Sequence, residues 1–327
     1  MNKVIKQKHT DDYSIYNGDT MQVLPTISDN SIHFSIYSPP FAGLYNYSSS
    51  EFDFSNCTSK EEFLQQYDFL IKEMARVTMP GRINAVHCQN IKDSKTGNMW
   101  NLPNEIIKLH LKHGFEWKDQ ITIWKEPLKV RMRTMVKSLM HKLIVEDSTQ
   151  CFTAMPDYLL VFRKKGENKI PVVHPNGLDY YPGTTPLLPF MEKKYGKWEH
   201  ICAKYKNWID QKTNKKSHII WQRLASSVWD DIRIDNILKY KGTKEEEDEK
   251  HVHPLQLDVI DRAVILWSNI GEVVLTPFMG VGSEVFSPVS LERKAIGIEL
   301  KKSYYKQTEL NLKNVKERFA LDNKFNL

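Results

Sequence analysis

Two consecutive prolines directly after a short apolar run constrain the fold of this chain more than any other feature. Residues Ile32–Tyr37 alternate between apolar and polar side chains and are rich in β-branched and aromatic residues, which is typical of a buried strand. Pro39 and Pro40 end that strand because neither has a backbone N–H and each restricts the residue before it. Ser38 and Phe41 flank them. This set is suited to holding a flat heterocycle whose amino group donates to Ser38 and a carbonyl; the alternative is a proline turn beside a core phenylalanine.

A second segment far downstream has the pattern of a strand, a glycine turn, a helix and another strand. Residues 271–276 form a short apolar strand, and residues 295–298 form a second one that leads to Glu299. Gly280 and Gly282 lie in the turn, where glycine lets a ligand approach the backbone closely. Glu299 follows Gly282 by 17 residues, about the spacing at which a βαβ acid binds ribose hydroxyls. The third glycine of the dinucleotide fingerprint is missing, which argues against a nicotinamide cofactor, and a simple tight turn is the alternative.

Together the two segments resemble those of the DNA amino-methyltransferases that use S-adenosylmethionine (SAM), the N6-adenine and N4-cytosine enzymes. In that family a D/N/S-P-P-Y/F segment holds the target base, and a D-P-F-x-G-x-G-T segment holds the methionine end of the cofactor. The base segment comes first here, as in the permuted β-type order. The resemblance covers residues 13–165 and 225–312. It implies an α/β, Rossmann-like methyltransferase fold, with a mostly parallel twisted sheet, helices on both faces and an inserted target-recognition region.

The resemblance also implies two sets of site residues. The catalytic positions would be Ser38, Pro39, Pro40 and Phe41. Asp19 would face the cofactor adenine, His253 and Gln256 would line the methionine pocket, and Glu299 would bind the ribose. The full cofactor-binding set is Asp19, His253, Gln256, Thr276, Pro277, Phe278, Gly280, Gly282, Ser283 and Glu299. Thr276 replaces the usual Asp of the cofactor segment and Ser283 its Thr, so the charged amino end of SAM would be held differently or more weakly.

Strand and helix patterns divide the chain into three regions. Residues 1–165 would form the catalytic half of the core, residues 166–240 a DNA target-recognition region, and residues 241–327 the SAM-binding half. In the first region a helix from Phe63 to Val77 is predicted to end at Pro80-Gly81, and a strand to begin at Arg82. A second helix is predicted from Asn104 to His113, and the remaining strand candidates are residues 115–124 and 158–162. Alternation of this kind favours a parallel sheet.

Two basic stretches are candidates for binding DNA. Between Met191 and Arg223 there are nine Lys and Arg residues against three acids, interleaved with aromatic side chains that can stack on bases. A small helical subdomain with a lysine-coated face and an aromatic core is the alternative. The second stretch spans residues 125–142 and would flank the base site, although a solvated helix face explains it equally well. The predicted DNA-binding residues are Lys129, Arg131, Arg133, Lys212, Lys215 and Lys216.

Composition narrows the classes of function. The formal charge of +6 fits a polyanionic partner without demonstrating one. No apolar run approaches a membrane span and no signal-peptide core begins the chain, so a cytoplasmic protein is expected. The four cysteines are scattered, and His251 and His253 lack a third metal ligand at sensible spacing. No cysteine lies next to the prolines of the base segment, which disfavours methylation of a ring carbon of cytosine.

The expected function is therefore site-specific methylation of double-stranded DNA by SAM at an exocyclic amino group. The target base must leave the helix first because its amino group is otherwise paired. Serine at the first position of the base segment is commoner among N4-cytosine enzymes, so N4 of cytosine is preferred over N6 of adenine. A SAM- and nucleic-acid-binding module without catalysis and an RNA amino-methyltransferase are the alternatives. A homodimer and a cognate restriction enzyme are left open.

Overall fold

The computed structural model describes residues 4–40, 57, 59–92, 98–204, 215–240, 243 and 254–315. Its strands are β1 (Lys6–His9), β2 (Tyr13–Asn17), β3 (Ile32–Tyr37), β4 (Thr78–Cys88), β5 (Ile91–Lys92), β6 (Met99–Trp100), β7 (Phe115–Ile123), β8 (Asp157–Lys164), β9 (Val228–Trp229), β10 (Val273–Thr276) and β11 (Lys294–Glu299). Its helices are α1 (Thr20–Val23), α2 (Lys60–Val77), α3 (Leu102–Lys112), α4 (Pro127–Thr134), α5 (Lys142–Glu146), α6 (Pro189–Tyr195), α7 (Trp198–Lys204), α8 (Lys215–Leu224), α9 (Leu257–Trp267), α10 (Ser283–Ser290) and α11 (Lys302–Asn311). No helix among the described residues is long and apolar enough to cross a membrane.

Nine of these strands form one sheet in the order β1-β2-β11-β10-β3-β4-β8-β7-β9. The five strands from β2 to β4 are parallel to their neighbours. Strand β8 is antiparallel to both β4 and β7, and β1 is antiparallel to β2. The sheet is therefore mostly parallel, and helices cover it, as expected for the Rossmann-like class. Strands β3 and β10 lie far apart in the chain but are hydrogen-bonded neighbours in its centre.

Two hydrophobic cores lie on opposite faces of the sheet because successive strand residues point to opposite sides. One core packs α2 and α3 against the sheet through Phe63, Tyr67 and Ile106. The other packs α9 and α10 against it and includes Ile260 and Val285. Burial on both faces explains why the central strand β10 is almost continuously apolar.

Helix α2 ends at Val77, the last residue of the predicted helical pattern, but Pro80 and Gly81 are not the stop that follows it. Strand β4 already begins at Thr78, four residues earlier than predicted, and includes both of them. Gly81 takes a positive φ of 76°, and the pairing register between β3 and β4 shifts at this point. The proline and glycine therefore form an irregularity inside a strand, which such residues commonly mark.

The described part of residues 166–240 forms three short helices, α6, α7 and α8, with a small core of their own. Met191, Ile201 and Ile219 form that core, and Tyr195 and Trp198 pack against it. The two aromatic side chains thus have structural roles in a helical subdomain. Arg223, counted above in the basic stretch, is buried and paired with Asp230 and Asp231, so it cannot contact DNA phosphates in this conformation.

Candidate active site

The candidate site lies at the carboxyl ends of the central parallel strands, where open α/β sheets bind ligands. Pairing of Leu275 with Ser35 brings the segment after β3 beside the turn after β10. The ring centroids of Tyr37 and Phe278 are 6.1 Å apart in an edge-to-face arrangement across this junction. The Ser38-Pro39-Pro40 segment and the glycine turn are therefore neighbours, although more than 200 residues separate them in the chain.

The two glycines of the turn have different roles. Gly280 has a φ of +53° and open space where a Cβ would lie, so its backbone is accessible to a ligand. Its N–H donates to Glu299 Oε2 at 2.9 Å. Gly282 has a φ of +94°, and an added Cβ would lie 2.6 Å from Cγ2 of Thr308. Gly282 is thus required for packing, and Gly280 is the glycine open to a ligand.

Two carboxylates border this turn. Glu299 ends β11, and its second oxygen, Oε1, accepts the N–H of Lys301 at 2.8 Å. Asn17, at the end of the neighbouring β2, donates its amide to the carbonyl of Glu299 at 2.9 Å. Asp19 follows and caps α1 by accepting the N–H of Met21 at 3.0 Å. Burial raises the pKa of Asp19, and the Met21 hydrogen bond opposes that shift.

The positions that depart from the family pattern are buried and lack partners. The hydroxyls of Thr276 and Ser283 have no hydrogen-bond partner among the described residues. Orphaned hydroxyls, an open glycine backbone and two nearby carboxylates fit a polar cofactor that carries ribose and amino groups. Residues Asp19, Thr276, Gly280, Ser283 and Glu299 would hold it.

Glu284, beside Ser283, was not singled out from the sequence. Burial, reinforced by the negative charge of Glu299, raises the pKa of Glu284 to about 8. An uncharged acid therefore lies in the first turn of α10 at neutral pH. The sequence signal was an acid among apolar residues, which a solvated helix position explains equally well.

Ser38 belongs to a chain of polar side chains contributed by four strands. Its Oγ lies 3.0 Å from Nδ1 of His87, near the end of β4. Nε2 of His87 lies 3.2 Å from Oδ2 of Asp157, at the start of β8. This second contact has the distance of an ion pair but not the alignment of a hydrogen bond. Lys125, just after β7, donates to the other oxygen of Asp157 at 2.5 Å.

Asp157 is anionic in this chain. Burial alone would raise its pKa, but the charges of His87 and Lys125 outweigh that effect and hold the pKa at about 2. Sequence reasoning missed His87 and Asp157 as site residues, and it included Lys125 only in the basic stretch of residues 125–142. Each of the three lies at or next to an end of a predicted strand, which was the available signal.

The structure places the other predicted residues as follows. Pro39, Pro40, Pro277 and Phe278 lie at the junction of β3 and β10, and Gln256 immediately precedes α9. Lys129, Arg131 and Arg133 lie on α4, none of whose residues is buried, and Lys215 and Lys216 begin α8. Phe41, Lys212 and His253 lie outside the described residues. The described part of the chain holds no cluster of three His, Cys, Asp or Glu side chains suited to a metal ion.

The chain is similar to known DNA methylases. The family model for DNA methylases of the N6/N4 class matches residues 32–310. The type II methyltransferase M.BglII of Bacillus subtilis is 25% identical over 293 residues, covering 89% of this chain and 66% of that protein. The orphan methyltransferase M.BamHII of Bacillus amyloliquefaciens is 24% identical, covering 88% of this chain and 91% of its own. The chain thus spans just under two thirds of M.BglII and most of M.BamHII.

Two solved structures share the fold. TTHA0409 of Thermus thermophilus, complexed with S-adenosyl-L-methionine, matches with a TM-score of 0.56 and 19% identity, covering 94% of this chain and 95% of its own. PvuII DNA methyltransferase, described as cytosine-N4-specific, matches with a TM-score of 0.57 and 14% identity, covering 92% and 86%.

The fold is that of the Rossmann-like SAM-dependent methyltransferases, as predicted from the sequence, and the family match confirms the predicted cofactor. More specifically, the chain belongs to the N6/N4 DNA methylase family.

Proposed function

We propose that the protein methylates double-stranded DNA at the exocyclic amino group of a flipped base, with N4 of cytosine preferred over N6 of adenine. The observation that carries the proposal is the pairing of β3 with β10, which places the Ser38-Pro39-Pro40 segment beside the glycine turn, with Tyr37 and Phe278 edge to face across the junction. Methyl transfer needs the amino nitrogen and the methyl donor side by side. The preference for cytosine rests on the serine that begins the base segment.

Ser38 and Pro39 would activate the target nitrogen by accepting its two hydrogens. The lone pair of an exocyclic amino group is delocalised into the ring, and two acceptors bias the nitrogen toward a pyramidal geometry. SAM supplies an electrophilic methyl group on a positively charged sulfur. The acceleration would come mainly from alignment and from the electrostatics of the buried site.

The segment that follows β7 would hold the DNA around the flipped base. Helix α4 buries none of its residues and combines Lys129, Arg131 and Arg133 with exposed Leu128 and Met132. The cations would contact phosphates, and the apolar side chains would contact exposed base or sugar surface. Lys215 and Lys216 on α8 form a second candidate contact.

Nucleoside mass spectrometry tests the proposal. DNA from cells that express the protein should contain N4-methylcytosine, whereas cells expressing Ser38→Ala should contain far less. N6-methyladenine instead would change the base assignment and leave the reaction class intact. Methylated nucleosides found in RNA alone would overturn DNA as the substrate. If the purified protein binds SAM and DNA but transfers no methyl group, it is a binding module.

A further inference from the structure

The chain Ser38–His87–Asp157 determines which group near the base can take up a proton. Asp157, which Lys125 also keeps anionic, lies 3.2 Å from Nε2 of His87, so its negative charge favours the neutral tautomer with the proton on Nε2. Nδ1 is then an acceptor, and the hydroxyl of Ser38 donates to it at 3.0 Å. Because its proton points to His87, the Ser38 oxygen presents its lone pairs to other donors.

We infer that His87 takes up, through Ser38, the proton that the target amino group loses after methyl transfer. This inference rests on the proposed function. Once the nitrogen–methyl bond has formed and the methyl–sulfur bond has broken, the nitrogen carries the positive charge. The nitrogen gives one proton to the oxygen of Ser38, whose own proton moves to Nδ1 of His87. The products are a neutral methylated amine, an intact serine and an imidazolium beside Asp157.

The charges around His87 suit a transient proton acceptor. Asp157 stabilises the imidazolium, while Lys125 on the other carboxylate oxygen reduces that stabilisation. The neighbouring thiol of Cys88 stays uncharged because burial, reinforced by Asp157, raises its pKa well above the ordinary value. The His87 side chain is only 13% exposed and its Nε2 is buried, so the imidazolium holds the proton within the site. His87 thus acts as a positioning residue for Ser38 that also holds the proton before release.

The test is the pH dependence of methyl transfer in single-turnover assays, with SAM carrying a labelled methyl group and unmethylated genomic DNA as substrate. The wild-type rate, measured between about pH 5 and pH 8, should rise with pH because only a neutral imidazole can take up the proton. In His87→Asn the amide still presents an acceptor near the position of Nδ1 but takes up no proton. Its rate should fall about 100-fold, as for loss of a general base, and become nearly independent of pH over that range.

His9→Asn is the matched control. Nδ1 of His9 also lies 3.0 Å from a serine hydroxyl, that of Ser14, but this pair is exposed, lies on β1 and β2, and faces no carboxylate in an ion pair among the described residues. The control should keep the wild-type rate and pH profile. Asp157→Asn should shift the acidic limb of the wild-type profile to lower pH, because the imidazolium loses its counter-charge.

Calorimetric titration with SAM shows whether a variant is folded, because an unfolded variant does not bind the cofactor. If His87→Asn is not folded, Asp157→Asn tests the same Ser38–His87–Asp157 arrangement. A folded His87→Asn with the wild-type rate and pH profile would overturn the role of His87 while leaving the methyltransferase proposal intact. So would a folded Asp157→Asn with an unshifted profile. Wild-type protein that binds SAM and DNA but never transfers a methyl group would overturn both proposals.

Discussion

Glu299 combines two roles that a substitution should reveal together. Its carboxylate oxygens accept the N–H groups of Gly280 and Lys301, which shapes the glycine turn, and a carboxylate oxygen can accept a further hydrogen bond from a ribose hydroxyl. Glu299→Gln should weaken SAM binding by about 1.5–3 kcal/mol, the usual range for hydrogen bonds to charged groups. Isothermal titration calorimetry measures this. Glu309→Gln is the control, since Glu309 on α11 forms a surface ion pair with Lys6 on β1 and should not affect SAM binding. If the two variants bind SAM with equal affinity, Glu299 does not belong to the cofactor site.

Glu284 should make stability depend on pH. Burial raises its pKa from 4.5 to about 8, so the folded protein binds this proton more tightly than the unfolded chain. Its contribution to stability is therefore fully present below pH 4.5 and is lost as the pH rises toward 8. Glu284→Gln cannot ionise and should be more stable than wild type at pH 8 by up to a few kcal/mol. Urea unfolding at pH 5 and pH 8 measures the difference. A gap between the two proteins that is the same at both pH values would show that Glu284 does not titrate in this range.

Among the site residues, some could be predicted from the sequence and others could not. Ser38 could be singled out because it adjoins two prolines, a local pattern with a direct backbone consequence. His87 could not, because 49 positions separate it from Ser38 and its neighbours in β4 are ordinary strand residues. Its contact with Asp157 depends on the pairing of β4 with β8, in which His87 is opposite Leu159. Only the register of the folded sheet brings these side chains together.

Elements were predicted best where a local signal marks both ends. Strand β3 spans Ile32–Tyr37 as predicted, because paired prolines follow it. Helix α2 begins three residues before the predicted start, at Lys60, because the side chain of Ser59 caps it by accepting the N–H of Glu62. The short helices α6, α7 and α8 were not predicted one by one, since each contributes a single buried residue to the small core that they share.

Helix α4 should dominate the electrostatic part of DNA binding. Neutralising Lys129, Arg131 and Arg133 together should reduce the slope of log affinity against log salt by up to about 2.7, at about 0.9 per lost phosphate contact. Fluorescence anisotropy with labelled duplex DNA at several salt concentrations measures the slope. Neutralising Lys108, Lys112 and Lys118, which lie on α3 and the first half of β7, should leave it unchanged. An unaltered slope in the α4 variant would show that α4 is a solvated helix face that does not contact DNA phosphates.

At the scale of the whole molecule, the sheet order explains how a permuted chain makes one site. The base segment precedes the glycine turn by more than 200 residues, yet β3 and β10 are adjacent. The order of motifs predicted the fold class because a parallel sheet gathers the carboxyl ends of its strands at one edge. The attachment of residues 166–240 to that sheet could not be predicted, because it depends on buried charges far apart in the sequence.

Arg262 on α9 is the centre of that attachment. Its side chain is fully buried, pairs with Asp231 at 2.7 Å and donates to the carbonyl of Pro182 at 2.7 Å. Tyr181 donates its hydroxyl to the second oxygen of Asp231 at 2.6 Å. Asp231 thus connects residues 166–240 to a core helix and is itself nearly buried. Removing one partner of a buried pair leaves the other charge uncompensated, which is costly.

Asp231→Asn should therefore destabilise the protein by about 3–5 kcal/mol, the range for breaking a buried ion pair. Urea unfolding followed by tryptophan fluorescence and by circular dichroism measures the loss, and coincident transitions would show that residues 166–240 unfold together with the core. The adjacent Asp230 is the matched control, since its side chain is 54% exposed and pairs with Arg223 alone among the described ion pairs. Asp230→Asn should cost at most about 1 kcal/mol, as exposed pairs do. Equal losses in the two variants would mean that the Asp231–Arg262 pair does not anchor this region to the sheet.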